Sequence, residues 1–182
     1  MSSPAPEPTY LIEVKVADIH QLFNSMDPSP FHDRDLDDDA EQFIVSWAQE
    51  HPSRARLKLL IHLGKAPEGI SDPQAKIAGS VRHYFAYRAE LTRHEFRRLM
   101  KEGRMALIIG VVFLIMCELT AHSLPGTEGT WFSTLREGLI IAGWVAMWRP
   151  LEIYLYEWWP VLRRERIHRN LSQMEVEVRM NA

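Results

Sequence analysis

The sequence predicts a mixed α+β protein. A small cytosolic β-α-β domain, completed by a C-terminal strand, is joined by a helical stalk to a two-helix transmembrane hairpin. Three observations predict this fold class. Apolar and polar residues alternate in three short segments, which is typical of strands. Two long apolar segments lie close together in the second half of the chain. Arginines flank those two segments and are absent from the stretch between them.

Length and composition limit the function classes. A chain of 182 residues and 21.2 kDa has room for about one compact domain, which argues against a multidomain enzyme. The charge is divided unevenly: residues 1–70 carry 12 acidic and 6 basic side chains, and residues 71–182 carry 12 acidic and 15 basic ones. The single cysteine, Cys117, excludes an internal disulfide and a CxxC type of zinc or redox site.

The N-terminal part is predicted to form a β-α-β domain over residues 10–70. Residues 1–9 are rich in Ser and Pro and lack the pattern of a signal peptide, so we expect a disordered tail there. The segments YLIEVKV (10–16) and RLKLLIHL (56–63) alternate and predict strands. Between them, LDDDAEQFIVSWAQE predicts a helix capped by its aspartates. Its expected buried face consists of Leu36, Ala40, Phe43, Ile44 and Trp47.

A second, much longer helix is expected to begin at Ser71 or Asp72, with Pro73 at its first position. No further proline occurs before Pro125, so this helix extends for about 50 residues. Residues 71–104 are assigned to a stalk. After the hairpin, residues 150–173 predict an amphipathic juxtamembrane helix that follows a proline kink. Residues 174–180, MEVEVRM, predict a third strand, which must join the first two because a lone strand is unstable.

The transmembrane hairpin is assigned to residues 105–149, with spans at 105–124 and 131–149. The first span carries one acidic or basic side chain, Glu118, and its length matches roughly 30 Å of hydrocarbon. The distribution of arginines places both termini in the cytosol by the positive-inside rule. The alternative is a buried hairpin in a soluble helical protein, because charges interrupt both segments. The expected interfacial anchors are Arg104, Trp131, Trp148, Arg149, Trp158 and Trp159.

Charged and small residues inside the hairpin are the main candidate site residues. Ionisable groups within a bilayer are costly and therefore functional candidates, here Glu118, Arg136 and Glu137. Glu118 and Arg136 are predicted to lie at one depth and to interact within one hairpin or between copies. Mutual neutralisation near the interface is the favoured interpretation, because all three residues lie near the outer end of the hairpin and not at its middle. Small residues predict close helix packing at Gly138, Ala142, Gly143 and Ala146.

Other candidate chemistry is weaker. The acidic loop before the first helix offers His32, Asp33 and Asp35 as metal ligands, but it lacks EF-hand and HExxH spacing, and helix capping is the favoured interpretation. No metal or other cofactor is therefore expected. No nucleophile–histidine pattern or phosphate-binding glycine motif occurs, so the chain is interpreted as a non-enzyme. The basic segment RHEFRRLMKEGR is interpreted as a contact with lipid headgroups and not with nucleic acid.

Two blocks, EGLIIAGWVAMWRPLEIYLYEWWP and PFHDRDLDDDAEQFIVSWAQE, resemble an uncharacterised family of two-span bacterial inner-membrane proteins. The blocks cover about a quarter of the chain. The resemblance implies a bacterial source and the two-span topology. It implies no activity and transfers no functional residue.

The predicted function is that of a non-enzymatic inner-membrane scaffold or regulatory subunit. It self-assembles through the hairpin, contacts the lipid bilayer, and docks a cytosolic or membrane protein partner through its cytosolic domain. The alternative is an oligomeric ion channel or transport component, with Glu118 or Glu137 in a carboxylate ring at the outer mouth. The apolar run MALIIGVVFLIMC has no polar stripe, which favours the first interpretation.

Overall fold

The computed structural model describes residues 9–30, 34–52, 55–65, 72–124 and 130–180. It divides the chain into two compact units. One consists of Met1–Arg93 with Arg163–Ala182 and is called the sheet unit below. The other is His94–Leu162 and is called the helical unit. The division falls inside the predicted stalk of residues 71–104, so the first part of that helix packs within the sheet unit.

A three-stranded parallel sheet forms the centre of the sheet unit. Its strands are β1 (Thr9–Val16), β2 (Arg56–Leu63) and β3 (Glu175–Met180), in the spatial order β1-β2-β3. The three predicted strands are confirmed, and β3 pairs with β2. The central strand of the sheet is therefore completed by a segment from the far end of the chain.

The two faces of the sheet differ in character. One face contributes fully buried aliphatic side chains to the core, among them Ile12, Leu59 and Ile61. On the other face, the ammonium group of Lys58 lies 2.7 Å from a Glu175 carboxylate oxygen and 2.8 Å from one of Glu177. Parallel sheets are usually covered on both faces. Here the second face carries these cross-strand ion pairs beside Leu60, which is 4% exposed.

Helix α1 (Asp38–Gln49) packs on the apolar side of the sheet unit. It begins at the Asp37 cap, whose carboxylate accepts the Asp39 amide at 3.1 Å. Its buried residues are Ala40, Ile44 and Ala48. The expected burial of Phe43 and Trp47 is wrong, because these rings are 43% and 42% exposed. The two alanines bring the helix close to the core, and the aromatic rings contact each other at the surface instead.

Helix α2 (Pro73–Ser123) has 51 residues and begins with Pro73, as predicted. Asp72 accepts the Ala75 amide at 3.1 Å and so caps its first turn. The early part of α2 supplies core residues to the sheet unit, namely Ile77, Ala78, Val81 and Phe85.

The rest of the helical unit contains several shorter segments. They are α3 (Thr130–Ala146), α4 (Trp148–Glu152), a π-helical turn (Ile153–Glu157) and the first residues of α5 (Trp158–Ser172). Residues 148–172 are thus helical without interruption, and the expected helix over 150–173 contains a π-helical turn. The break falls at Met147 because Pro150 has no N–H for the Ala146 carbonyl and its ring crowds that oxygen.

Candidate functional sites: an apolar belt and a part-buried polar cluster

The second half of α2 exposes a broad apolar surface. Its most apolar 18-residue window has a mean hydropathy of 2.1, and 17% of that window is buried. A core helix of this composition would be mostly buried, so this exposed surface is a candidate site for contact with lipid or with another protein. Together with the exposed apolar residues of α3, this surface is called the apolar belt. Its α2 members include Leu107, Ile108, Ile109, Val112, Phe113, Ile115, Met116 and Leu119.

Helix α3 continues the apolar belt. Ile141, Trp144 and Val145 are each exposed by more than half of their surface. The helix has 17 residues and ends three residues before the predicted end of the second span. Among the described helices, α2 is the one that is long and apolar enough to cross a membrane by length and composition.

Two glycines allow α2 and α3 to approach closely. A Cβ atom added at Gly110 would lie 3.0 Å from the Ala146 carbonyl oxygen. One added at Gly143 would lie 2.9 Å from the Leu114 Cδ1 atom. Among the four small residues assigned to helix packing, Gly143 and Ala146 therefore face α2 within the chain. Gly138 has nothing within 4 Å of an added Cβ, and Ala142 is exposed.

The charged residues of the apolar segments do not meet as one cluster in a single chain. A carboxylate oxygen of Glu118 lies 3.7 Å from the Nδ1 atom of His122, which is one turn further along α2. Arg136 and Glu137 are exposed, and the described residues show no ion pair between Glu118 and Arg136. The expected contact between Glu118 and Arg136 stays a prediction for neighbouring copies.

Arg149 gathers three glutamates in the helical unit. Its guanidinium lies 2.9 Å from Glu102 of α2 and 3.3 Å from Glu152 of α4, and it also contacts Glu157 of the π-helical turn. This arginine therefore ties α2 to the segments that follow the break at Met147. The other basic anchor, Arg104, is exposed.

The tryptophan anchors lie at both ends of α3 and beyond it. Trp131, Trp148 and Trp159 are 74%, 72% and 56% exposed. Trp158 is half-buried and donates its indole N–H to the Tyr154 carbonyl at 2.7 Å. A cavity of about 340 Å³ lies next to the residues that follow the break at Met147, and it is lined by Trp148, Leu151, Glu152, Leu155 and Tyr156.

A polar cluster in the sheet unit connects α1 with α2. The Glu41 carboxylate accepts the Tyr84 hydroxyl at 2.6 Å and the Arg88 Nε–H at 2.8 Å. Burial and the neighbouring Glu41 charge raise the pKa of the Tyr84 hydroxyl, so this group remains a donor. The sequence reasoning missed this cluster. Its detectable signal is the spacing of four between Tyr84 and Arg88, which places both on one helix face.

A cleft of about 300 Å³ in the sheet unit is lined in part by Tyr84, Tyr87 and residues of the acidic loop. Asp27 accepts the backbone amides of Ser29 and Asp35, each at 2.9 Å, and its pKa is lowered by hydrogen bonds to Ser29 and Asp35. This carboxylate therefore organises the loop. His32 and Asp33 lie outside the described residues, and within those residues no three His, Cys, Asp or Glu side chains are placed to hold a metal.

A buried histidine lies elsewhere in the sheet unit. His168 of α5 is 3% exposed, and its Nδ1 is 3.2 Å from the Thr92 hydroxyl. That hydroxyl donates to the Arg88 carbonyl at 2.9 Å, which leaves Nδ1–H of His168 as the donor to Thr92. Burial and the positive charge of Arg88 lower the pKa of His168. The neutral imidazole is therefore the stable form in the folded unit.

No protein-family model matches this chain, and comparisons with curated proteins and with solved structures give no match either. The resemblance to two-span bacterial membrane proteins therefore stays a prediction.

The Glu41 cluster predicts a specific stability change. Tyr84→Phe removes a part-buried hydrogen bond to a carboxylate, so we expect the free energy of unfolding of the sheet unit to fall by about 1.5–3 kcal/mol. Tyr87→Phe is the matched control because Tyr87 is 55% exposed, and its effect should be below about 0.5 kcal/mol. Urea unfolding in detergent measures both values. Equal effects of the two variants would contradict a structural role for the cluster.

The lowered pKa of His168 predicts acid sensitivity. In the unfolded chain the imidazole of His168 is protonated below about pH 6.5. In the folded unit burial opposes that protonation, so the free energy of unfolding is highest above this pH and decreases as the pH falls. We expect the melting temperature to drop between about pH 7.5 and about pH 5.5, and to drop less in His168→Gln. His20→Gln, at an exposed position, should behave like the unsubstituted chain. An identical drop in all three proteins would show that another group titrates.

Proposed function

We propose that this chain is an integral protein of the bacterial inner membrane that acts as a non-enzymatic scaffold or regulatory subunit. Its helical unit crosses the bilayer as a two-span hairpin, and its sheet unit docks a protein partner in the cytosol. The observation that carries the proposal is the apolar belt. Exposure of this many apolar side chains to water is unfavourable by roughly 25 cal/mol per Å², whereas lipid tails cover them without that cost.

The path of the chain supports a second span. The chain leaves the sheet unit after Arg93 and returns to it at Arg163. A segment that starts and ends in one folded unit on one side of a membrane crosses that membrane an even number of times. If α2 crosses once, then a second crossing must follow, and α3 is the described apolar helix available for it.

The dimensions of α3 are compatible with this role. At ~1.5 Å per residue, its 17 residues extend for roughly 25 Å, which is the lower limit for a span. Trp131 lies in its first turn and Trp148 lies two residues beyond its end, where interfacial aromatic rings are favourable. Arg136 and Glu137 lie in its second turn, near the end that would face the periplasm.

The basic residues support the proposed orientation. Arginines and lysines precede the apolar part of α2 and follow α3, and none occurs from residue 119 to 135. Basic segments remain on the cytosolic side and contact anionic headgroups. Both termini are therefore proposed to lie in the cytosol.

Self-assembly is proposed through the face of α3 that α2 leaves free. Gly143 and Ala146 are occupied by contacts with α2, whereas Gly138 and Ala142 are exposed. Small residues allow helices of neighbouring copies to pack closely in lipid. The same assembly would place Glu118 and Arg136 of different copies within reach.

The topology has a direct test. A reporter that is active only in the periplasm should be active when inserted between residues 124 and 130, and silent when fused after residue 182. A reporter that is active only in the cytosol should give the opposite pattern at the same two sites. The reverse result would overturn the orientation, and periplasmic activity at neither site would contradict the membrane proposal.

The assembly has a matched pair of variants. Ala142→Leu adds bulk at an exposed position, so we expect weaker association with an unchanged melting temperature of the single chain. Gly143→Leu adds bulk against Leu114, so we expect a lower melting temperature. Mass measurement in nanodiscs over a range of protein concentrations gives the association. A protein that is monomeric in lipid before substitution would contradict the assembly.

A further inference from the structure

The outer edge of β1 has unpaired backbone groups within the described part of the chain. The Gly64 amide donates to the Val16 carbonyl at 3.0 Å, so the backbone groups of Val16 face β2. Backbone groups of successive strand residues point in opposite directions within the sheet plane. Those of Leu11, Glu13 and Lys15 therefore point away from β2, and the side chains of these three residues are exposed.

The opposite edge of the sheet is closed. The side-chain amide of Gln74 donates to the Val176 carbonyl at 2.9 Å and accepts the Val178 amide at 2.6 Å. Gln74 therefore satisfies two outer groups of β3, as a neighbouring strand would. Among the described residues no comparable side chain covers β1, and its pairing with β2 is continuous from Thr9 to Val16, without a bulge. Such an edge is a template for pairing with another chain.

The charged side chains of β1 favour a particular strand as the partner at this edge. Glu13 and Lys15 lie on the same exposed face, two residues apart. In an antiparallel pair of two β1 strands, Glu13 of one copy can lie opposite Lys15 of the other, and the symmetry repeats this pair. Opposite charges directly across two strands stabilise the pairing. Both residues have outward backbone groups, so they form hydrogen-bonded pairs in this register.

We propose that two copies of this chain pair antiparallel along β1, with Val14 opposite Val14 of the partner copy, and so form a continuous six-stranded sheet. A shift of the partner copy by two residues in one direction places Glu13 opposite Glu13. The same shift in the other direction places Lys15 opposite Lys15. Both alternatives set like charges against each other, so this register is the favourable one of the three.

The pairing ends naturally at the end of the strand. The Ala17 amide donates to the side-chain oxygen of Gln21 at 2.8 Å and is therefore not free for a partner strand. The contact is isologous, which is the usual symmetry of a homodimer. It is separate from the proposed assembly through α3, so either contact can fail while the other persists.

Charge exchange in the full-length protein tests the pairing. Glu13→Lys or Lys15→Glu alone places like charges opposite each other at two positions, so we expect dimerisation to weaken about tenfold. The double variant Glu13→Lys/Lys15→Glu restores opposite charges and the net charge, and should return to within about twofold of the original. Mass measurement over a range of concentrations in the Ala142→Leu background isolates this contact from α3.

Hydrogen–deuterium exchange of residues 9–17 reports on the edge itself. We expect the outward amides of β1 to become more protected as the protein concentration increases. Glu13→Pro should abolish this concentration dependence, because it removes an outward amide and leaves the β1–β2 hydrogen bonds intact. A cooperative melting transition shows that each variant is folded. Protection that does not depend on concentration, or equal association of the single and double charge variants, would overturn the proposal.

Discussion

The pairing of β3 with β2 is the contact on which the rest of the architecture depends. A strand near the C-terminus completes a sheet that begins at residue 9, so residues 94–162 leave one folded unit and the chain then returns to it. The start of α2 and the end of α5 belong to that unit and contribute to its core. Because the chain must return to the unit in which it starts, the proposed number of membrane crossings is even.

The two units satisfy their side chains in different ways. In the sheet unit, large aliphatic residues are buried, and the part-buried Glu41 carboxylate has specific partners in Tyr84 and Arg88. In the helical unit, large aliphatic residues are exposed, and Arg149 collects three glutamates at one end of the belt. An aqueous surrounding explains the first pattern, and the second pattern is the one expected of the lipid surrounding that we propose for the helical unit.

Small residues perform two different tasks in the helices. Ala40 and Ala48 bring α1 close to its core, and Gly110 and Gly143 bring α2 close to α3. Elsewhere small residues are left exposed, as at Gly138 and Ala142, and there they provide a flat surface for another helix. A spacing of four thus marks a packing face, but the fold decides whether that face is filled within the chain.

The sequence by itself determined the elements whose signals are local. Period-two alternation located the three strands, Pro73 located the start of α2, and hydropathy located its apolar half, since each depends only on neighbouring residues. It did not determine the face of α1, where Phe43 and Trp47 are exposed, or the π-helical turn at Ile153–Glu157. Only the tertiary structure decided that Glu41, Tyr84 and Arg88 meet, that Gln74 closes the β3 edge, and that β1 is left open. The contacts of Glu41 and of Gln74 join residues that are more than 40 positions apart in the sequence. A local sequence pattern carries no information about which distant residues meet.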